Sequence, residues 1–590
     1  MLMKNNKTKK GNGIKNPKEK EVKNLKKGGK TKKETKEAEN FRDCIKRYES
    51  FGNLIAFKYK ENSEIKEITY EQFVKDIKSI GTALIDMNVK RVAVIGSNSY
   101  KWCTTYLATT TAGKVIVPLD KALTDIEIGN LIKRSEVDTI VYEKKYQKAI
   151  DEIIHKGCNL KNLICMDSAE KKEVLSYDKT LEKGKEILEK GDNRYDDVKI
   201  DSYKMSIMLF TSGTTNEPKA VMLSQNNIVS NIEALNRIVK VYKTDTLLSF
   251  LPIHHTFECT ITFLFGTFNG ATVAFCEGLR YIQQNLKDYK VTIFVAVPLV
   301  LETMYKKIQK AIKEKGKTEL VNKMIKISNG LLKCHIDIRK IVFKEILDNF
   351  GGHLRVVFYG SAPMPKDTII GYNNLGIELI QGYGLTETSP VVSAETDKKK
   401  RPGSIGLVLD NLECRIDNPD KDGIGEITVK GPSVMLGYYN NEKATKEVLK
   451  DGWFSTGDYG YLDEDGFLYI TGRKKDVIVL RNGENVYPQE IESLINKLPY
   501  VKESLVYQRE QSKTDTMLCA KIVYDEDLIK DVFGEKTEEQ YKEEIWKQIK
   551  EINKNLPLFK HIKKIKITTE ELEKTTTQKV KRYKELQKVK

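Results

Sequence analysis

Short apolar runs recur along this chain with helical stretches between them. Arg91–Gly96 (RVAVIG), Lys114–Leu119 (KVIVPL), Thr139–Glu143 (TIVYE) and Asn162–Met166 (NLICM) are five or six residues long and apolar on both faces. Strands of that kind belong to parallel sheets covered by helices on both sides. Intervening segments such as Tyr70–Met87 have helical spacing. The predicted fold class is therefore α/β. The pattern returns at Thr292–Pro298 and Leu354–Gly360, with a Lys-rich helical stretch over about 302–349 between them. From Gly403 to Gly431 it gives way to short strands with Gly and Pro turns, a β-rich end. After Lys475 a last, smaller α+β unit runs to Lys590. The expected organisation is a basic tail (1–40), a large N-terminal domain of helix-covered sheets with a β-rich subdomain (41–474) and a small C-terminal domain (475–590).

Charge separates the tail from the rest. The 590 residues carry 100 Lys+Arg against 83 Asp+Glu, a net +17. Residues 1–37 hold 14 lysines and 4 glutamates, so +10 belongs to the tail and +7 to the other 553 residues. The tail has no aromatic residue and cannot bury enough surface to order itself. It reads as a solubilising extension, or more sharply as a weak peripheral contact with an anionic membrane. Basic and aromatic residues are not interleaved, so no nucleic-acid partner is expected. The longest apolar run, near Thr292–Leu301, contains Pro298 and falls short of the ~20 residues a membrane span needs. The N-terminus lacks an apolar signal core. A cytoplasmic location is expected, peripheral at the membrane at most. The nine cysteines are odd in number and never at CxxC spacing, which predicts reduced thiols. The six histidines do not join them at zinc spacing. Oligomeric state has no signature.

The most informative stretch is Leu209–Lys219, LFTSGTTNEPK. It follows an apolar strand, Ser206–Phe210, and brings the hydroxyls of Thr211, Ser212, Thr214 and Thr215 together with Gly213 and Lys219. Hydroxyls and backbone N–H groups wrap phosphate oxygens, Gly213 permits close backbone approach, and Lys219 adds a point charge. A polar turn with a solvated lysine has the same composition. The loop is not GxxxxGK[ST]: Gly316-Lys317-Thr318 copies its end, but Ala311 stands where the first Gly belongs. Gly382-Tyr383-Gly384 opens as GxGxxG but reaches Glu387.

The loop resembles the TSGTTGxPK signature of adenylate-forming enzymes, the superfamily of acyl-CoA synthetases, luciferases and peptide-synthetase adenylation domains, with Asn216 replacing the second Gly. Asn tolerates a left-handed backbone best among non-Gly residues. Further segments match in order. In Gln381-Gly382-Tyr383-Gly384-Leu385-Thr386-Glu387-Thr388 the resemblance implies that Tyr383 stacks on adenine, Thr386 touches the α-phosphate and Glu387 holds Mg2+. Gly360-Ser361-Ala362-Pro363 resembles the adenine-side segment. Asp458 in Ser455–Asp458 matches the ribose-binding Asp, with Arg473 reinforcing it fifteen residues later, and Lys475 falls at the interdomain hinge. Asn482-Gly483 between apolar runs is a hairpin signal. Near the C-terminus, Lys574–Arg582 (KTTTQKVKR) resembles PKTxxGKxxR, with Gln578 in place of Gly and Glu573 in place of Pro, which puts Lys579 on the catalytic lysine.

Leu251–Glu258 (LPIHHTFE) resembles the LPxxHxxE segment, so His255 is implied to lie near the carboxylate end of the acyl substrate. The segment Val297–Tyr305 and the helical insertion after it resemble the long-chain branch. The resemblance covers about residues 41–585. It implies ATP-dependent activation of a fatty acid to acyl-AMP, then thioester formation with coenzyme A as co-substrate, with a mobile C-terminal domain. The alternative is an adenylate-forming ligase that loads a carrier protein or takes an aryl acid.

Overall fold

Valine, isoleucine and leucine fill the strands that the sequence marks. The computed structural model describes residues 37–211, 218–362, 364–396, 398–480, 485–512, 515–574 and 580–589. The tail, with its expected membrane contact, lies outside the described residues except at Glu37. Arg91–Ile95, Val115–Leu119, Thr139–Tyr142 and Asn162–Cys165 form strands within a residue of their expected ends. They sit in an eight-stranded sheet, with Arg91–Ile95 paired parallel to both Val115–Leu119 and Thr139–Tyr142. Met205–Thr211 joins this sheet in parallel and folds back antiparallel into Lys219–Ser224.

A second, nine-stranded sheet holds Thr246–Ser249, Ile293–Ala296, Val356–Tyr359 and Glu378–Gly384 side by side and parallel. The helix Gln225–Ile238 is pinned by polar contacts on two sides. Asn227 Nδ2 donates to the carbonyls of Pro432 and Val434 at 2.7 and 3.0 Å. Asn231 exchanges two hydrogen bonds with the Val391 backbone. The β-rich end is a five-stranded sheet of Glu413–Asp417, Gly425–Lys430, Leu449–Lys450, Trp453–Leu462 and Leu468–Arg473.

The Lys-rich stretch is not one helix. Pro298–Glu314 and Thr318–Lys333 are separated at Gly316, whose φ of +65° no interior helical residue adopts. Gly316-Lys317-Thr318 is that interhelical turn, with no strand before it. Beyond Lys475, Val501–Ser512, Asp515–Tyr524 and Ile562–Thr568 form a three-stranded sheet, which packs with the helices Pro488–Ile495 and Glu538–Lys554. Ile478–Val479 pairs antiparallel with Asn485–Val486, the flanks of the expected hairpin, whose Asn482-Gly483 turn lies outside the described residues. All nine cysteines are free thiols.

Candidate active site

Parallel strands present their C-terminal ends on one edge, where an open α/β sheet binds its ligands. Tyr359 ends one strand and hands on to Gly360, Ser361 and Ala362. A Cβ at Gly360 would stand 2.7 Å from the Gly382 carbonyl oxygen, so the two segments touch through bare backbone. Ser361 is held at φ +73°, a left-handed conformation unusual for serine, of the kind that collects at binding sites. The next strand ends in Gly384, where a Cβ would lie 1.8 Å from the Pro390 carbonyl oxygen. That close approach sets up the tight turn Thr386–Thr388, which carries Thr386 and Glu387. Gln381 is buried, its amide oxygen accepting from the Tyr359 hydroxyl at 2.8 Å.

The other sheet contributes the two ends of the Thr211–Lys219 loop. Thr211 and Lys219 are register partners across its base. Ser212, Gly213, Thr214, Thr215 and Asn216 lie outside the described residues. The Lys219 ammonium sits over the Tyr438 ring, 4.6 Å from its centroid. Tyr438 stands on a two-residue strand, Gly437–Tyr438, that pairs with Lys219–Ser224. Its hydroxyl donates to Glu387 Oε1 at 2.9 Å, and the Met435 N–H donates to the Glu387 carbonyl at 2.8 Å. The segment therefore braces the lysine and the carboxylate at once. Burial, then Glu387, pushes the Tyr438 hydroxyl far above its usual range, so it stays a donor. The sequence carried no signal for this residue, which looks like one more strand tyrosine.

Asp458 and Arg473 are also register partners, across the antiparallel pair Trp453–Leu462 and Leu468–Arg473. That explains their spacing. Arg473 Nη1 lies 2.8 Å from Asp458 Oδ1. The Tyr383 hydroxyl donates to Oδ2 at 2.6 Å. Asp458 is buried, and a carboxylate has about four acceptor positions, so these bonds leave capacity for further donors. Burial pushes the Lys475 ammonium below the usual lysine range, with Arg473 and then Lys219 adding to the shift. Asp476 and Asp458 oppose that shift, and Arg473 is paired with Asp458, so the cations here are partly balanced by carboxylates.

The LPIHHTFE loop follows Ser249. Asn98, beyond the end of Arg91–Ile95, clamps it: Nδ2 donates to Ser249 Oγ at 2.9 Å and to the Leu251 carbonyl at 2.7 Å. Oδ1 accepts from the Ile253 N–H at 3.2 Å. One side chain thereby ties the loop to the other sheet, a link no local motif announces. The Phe257 N–H donates to His255 Nδ1 at 3.3 Å, which puts the neutral ring's proton on Nε2. Adjacent His254 is half-buried beside Asp120, with 3.5 Å between Nε2 and Oδ2. Burial lowers its basicity. It lines a narrow cavity with Tyr106, Leu209, Ile228, Thr256, Cys259 and Thr260. The Thr256 and Thr260 hydroxyls have no hydrogen-bond partner among the described residues. Glu258–Phe265 winds as a π-helix, a rare form frequent at functional sites. Burial pushes the carboxyl of Glu258, fully enclosed there, up to about 8, against a hydrogen bond from Thr262 at 2.9 Å.

Lys579 lies outside the described residues, but its flanks are anchored. Lys574 and Val580 bridge, and the Lys581 N–H donates to the Glu573 carbonyl at 2.7 Å. Arg582 donates to Glu492 Oε1 at 2.7 Å and to the Val506 carbonyl at 2.8 Å, and its Nε is 3.7 Å from Asp476 Oδ2. Gln489 donates to the same Asp476 oxygen at 2.8 Å.

Two open sheets meeting a β-rich sheet, with cations, an acceptor carboxylate and an aromatic ring at the strand ends, define an α/β nucleotide-binding enzyme. The chain belongs to the AMP-binding enzyme family, whose sequence pattern matches residues 46–439. The pattern of the AMP-binding enzyme C-terminal domain matches residues 475–589. Fatty acyl-CoA synthetase B of Dictyostelium discoideum is 29% identical over 507 residues, 80% of this chain and 73% of that protein. The chloroplastic long-chain-fatty-acid–[acyl-carrier-protein] ligase AEE15 of Arabidopsis thaliana is 28% identical over 545 residues, 80% of this chain and 74% of that protein. The ATP-bound structure of MatB from Rhodopseudomonas palustris superposes with a TM-score of 0.71 at 24% identity, over 92% of this chain and 98% of that one.

Proposed function

We infer that this protein is an AMP-forming ligase that joins a fatty acid to coenzyme A. Family membership and the acyl-CoA synthetase relative support the reaction class. The observation that carries the reading is the convergence of Asp458, Tyr383 and Arg473 beside Lys219, Lys475 and Glu387. The Asp458 carboxylate suits ribose hydroxyls, the Tyr383 ring a purine, and the cations a triphosphate.

In the first step a carboxylate oxygen of the acid attacks the α-phosphorus of ATP. The bond to the bridging oxygen breaks, and pyrophosphate leaves. Lys219, the hydroxyls of Thr211 to Thr215 and Thr386 hold the phosphates. Lys579 bridges the two anions and lowers their repulsion. Mg2+ fits this donor set. It is commonly held by one or two carboxylates plus substrate phosphates, and Tyr438 engages only Oε1 of Glu387. Bound there, the cation would neutralise phosphate charge. In the second step the coenzyme A thiolate attacks the acyl carbonyl and AMP leaves. His255, holding its proton on Nε2, faces the acid end. Residues 41–474 and 475–590 act as two domains, and rotation about Lys475 exchanges one step's arrangement for the other's.

The test is pyrophosphate release with ATP, Mg2+ and acids from acetate to oleate plus benzoates, each with and without coenzyme A. Turnover dependent on coenzyme A and highest with long chains is expected. Release that ignores coenzyme A would move the acceptor to a carrier protein, the acceptor in the Arabidopsis relative's name.

A further inference from the structure

The folded body hides a concentrated charge. Beyond residue 37 the chain has 86 Lys and Arg and 79 Asp and Glu. Residues 298–347 hold 12 and 5 of these, which leaves 74 of each for the remaining 503 residues. The whole excess of the body therefore sits on the helical insertion.

The same insertion exposes large aliphatic side chains. Helix Thr318–Lys333 packs Val321, Met324 and Ile325 against the core and buries Ser328. Leu320 and Ile327, seven residues apart and so on one stripe, face away, 56% and 44% exposed. Lys323, Lys326 and Lys333 fall on the adjoining stripe and make no ion pair among the described residues. Past the helix, Ile336 and Ile341 are 52% and 78% exposed. Exposed aliphatics flanked by unpaired lysines form the face of a helix that lies in a membrane interface. There the lysine stems run along the acyl boundary while their heads reach the phosphates.

We propose that the insertion, centred on helix Thr318–Lys333, docks this protein peripherally on an anionic lipid surface. Leu320 and Ile327 enter the boundary between headgroups and acyl chains, and Lys323, Lys326 and Lys333 meet the lipid phosphates. A protein partner fits less well. Interface anchors are chiefly Trp, Tyr and Arg, whereas Lys is depleted at interfaces. This surface offers Leu, Ile and Lys, and its one arginine, Arg339, is engaged by Asp337 and the Asn373 carbonyl. The proposal does not depend on the reaction assigned above, because vesicle binding requires no turnover.

The experiment is co-sedimentation of the full chain with phosphatidylcholine vesicles and with vesicles that also contain phosphatidylserine, at low and high salt. Attraction through lysines falls with salt, so a salt-resistant component that is lost with Leu320 and Ile327 reports the aliphatic stripe. L320N/I327N is expected to lower that component about tenfold, and K323Q/K326Q to weaken low-salt binding to phosphatidylserine vesicles about tenfold. Both changes are at exposed positions, and an unchanged thermal midpoint confirms folding. Wild-type binding that vanishes at high salt, or variants that bind like the wild type, would overturn the proposal. So would failure of the wild type to bind, or self-association through Leu320 and Ile327 in its place.

Discussion

The Tyr438 hydroxyl lies 2.9 Å from Oε1 of Glu387 while its ring carries the Lys219 ammonium. Tyr438→Phe keeps the ring and removes only the hydrogen bond. On the proposed reading Glu387 holds Mg2+, and partners that orient a metal-holding carboxylate typically matter by 10–100-fold. The half-saturating Mg2+ concentration for pyrophosphate release should rise about tenfold. Calorimetry should show weaker ATP binding in Mg2+ but unchanged binding in EDTA. Tyr438→Leu, which also removes the ring, should weaken ATP binding under both conditions.

Asp458→Asn removes the charge that Arg473 and Tyr383 share. Hydrogen bonds to a charged group contribute about 1.5–3 kcal/mol, so KM for ATP should rise roughly 10–100-fold. KM for the fatty acid should stay put. Parallel rises in both constants would mean that Asp458 supports the fold rather than the nucleotide.

Glu258 links stability to pH. Its carboxyl is raised to about 8 in the folded protein, while the unfolded chain releases that proton near ~4.3. The folded state therefore binds the extra proton between those values. The associated stability is full below the lower value and is lost as pH rises through the upper one. From about pH 6 to about pH 9 the wild type should lose on the order of 2 kcal/mol relative to Glu258→Gln. Urea unfolding at the two pH values measures it, and parallel losses in both proteins would contradict the assignment.

Lys579→Ala separates the two half-reactions. Adenylation, read as pyrophosphate release, should fall by about three orders of magnitude, the upper range for one preorganised electrostatic contact. Thioester formation from supplied acyl-AMP should be largely retained. Equal loss in both assays would assign the lysine a structural role.

Much of this was legible locally. A parallel strand such as Arg91–Ile95 is buried on both faces, so its apolar run survives any context. Asp458 and Arg473 were legible only through the family resemblance of their segment, and the structure adds that one antiparallel pair supplies both. Asn98 and Tyr438 were not, since their partners are brought from distant parts of the chain by sheet pairing. The break at Gly316 was missed because helical periodicity continues on both sides of it. The π-helical winding of Glu258–Phe265 left no trace, because a segment buried all round has no polar face to betray its pitch.

The clasp of Arg582 on Glu492 and Asp476 has a mechanical consequence. It closes a ring between the residue just after Lys475 and the far flank of the Lys579 segment. A rotation of residues 475–590 about Lys475, as proposed above, would reach Val580–Arg582 across a few side-chain bonds instead of along the intervening chain.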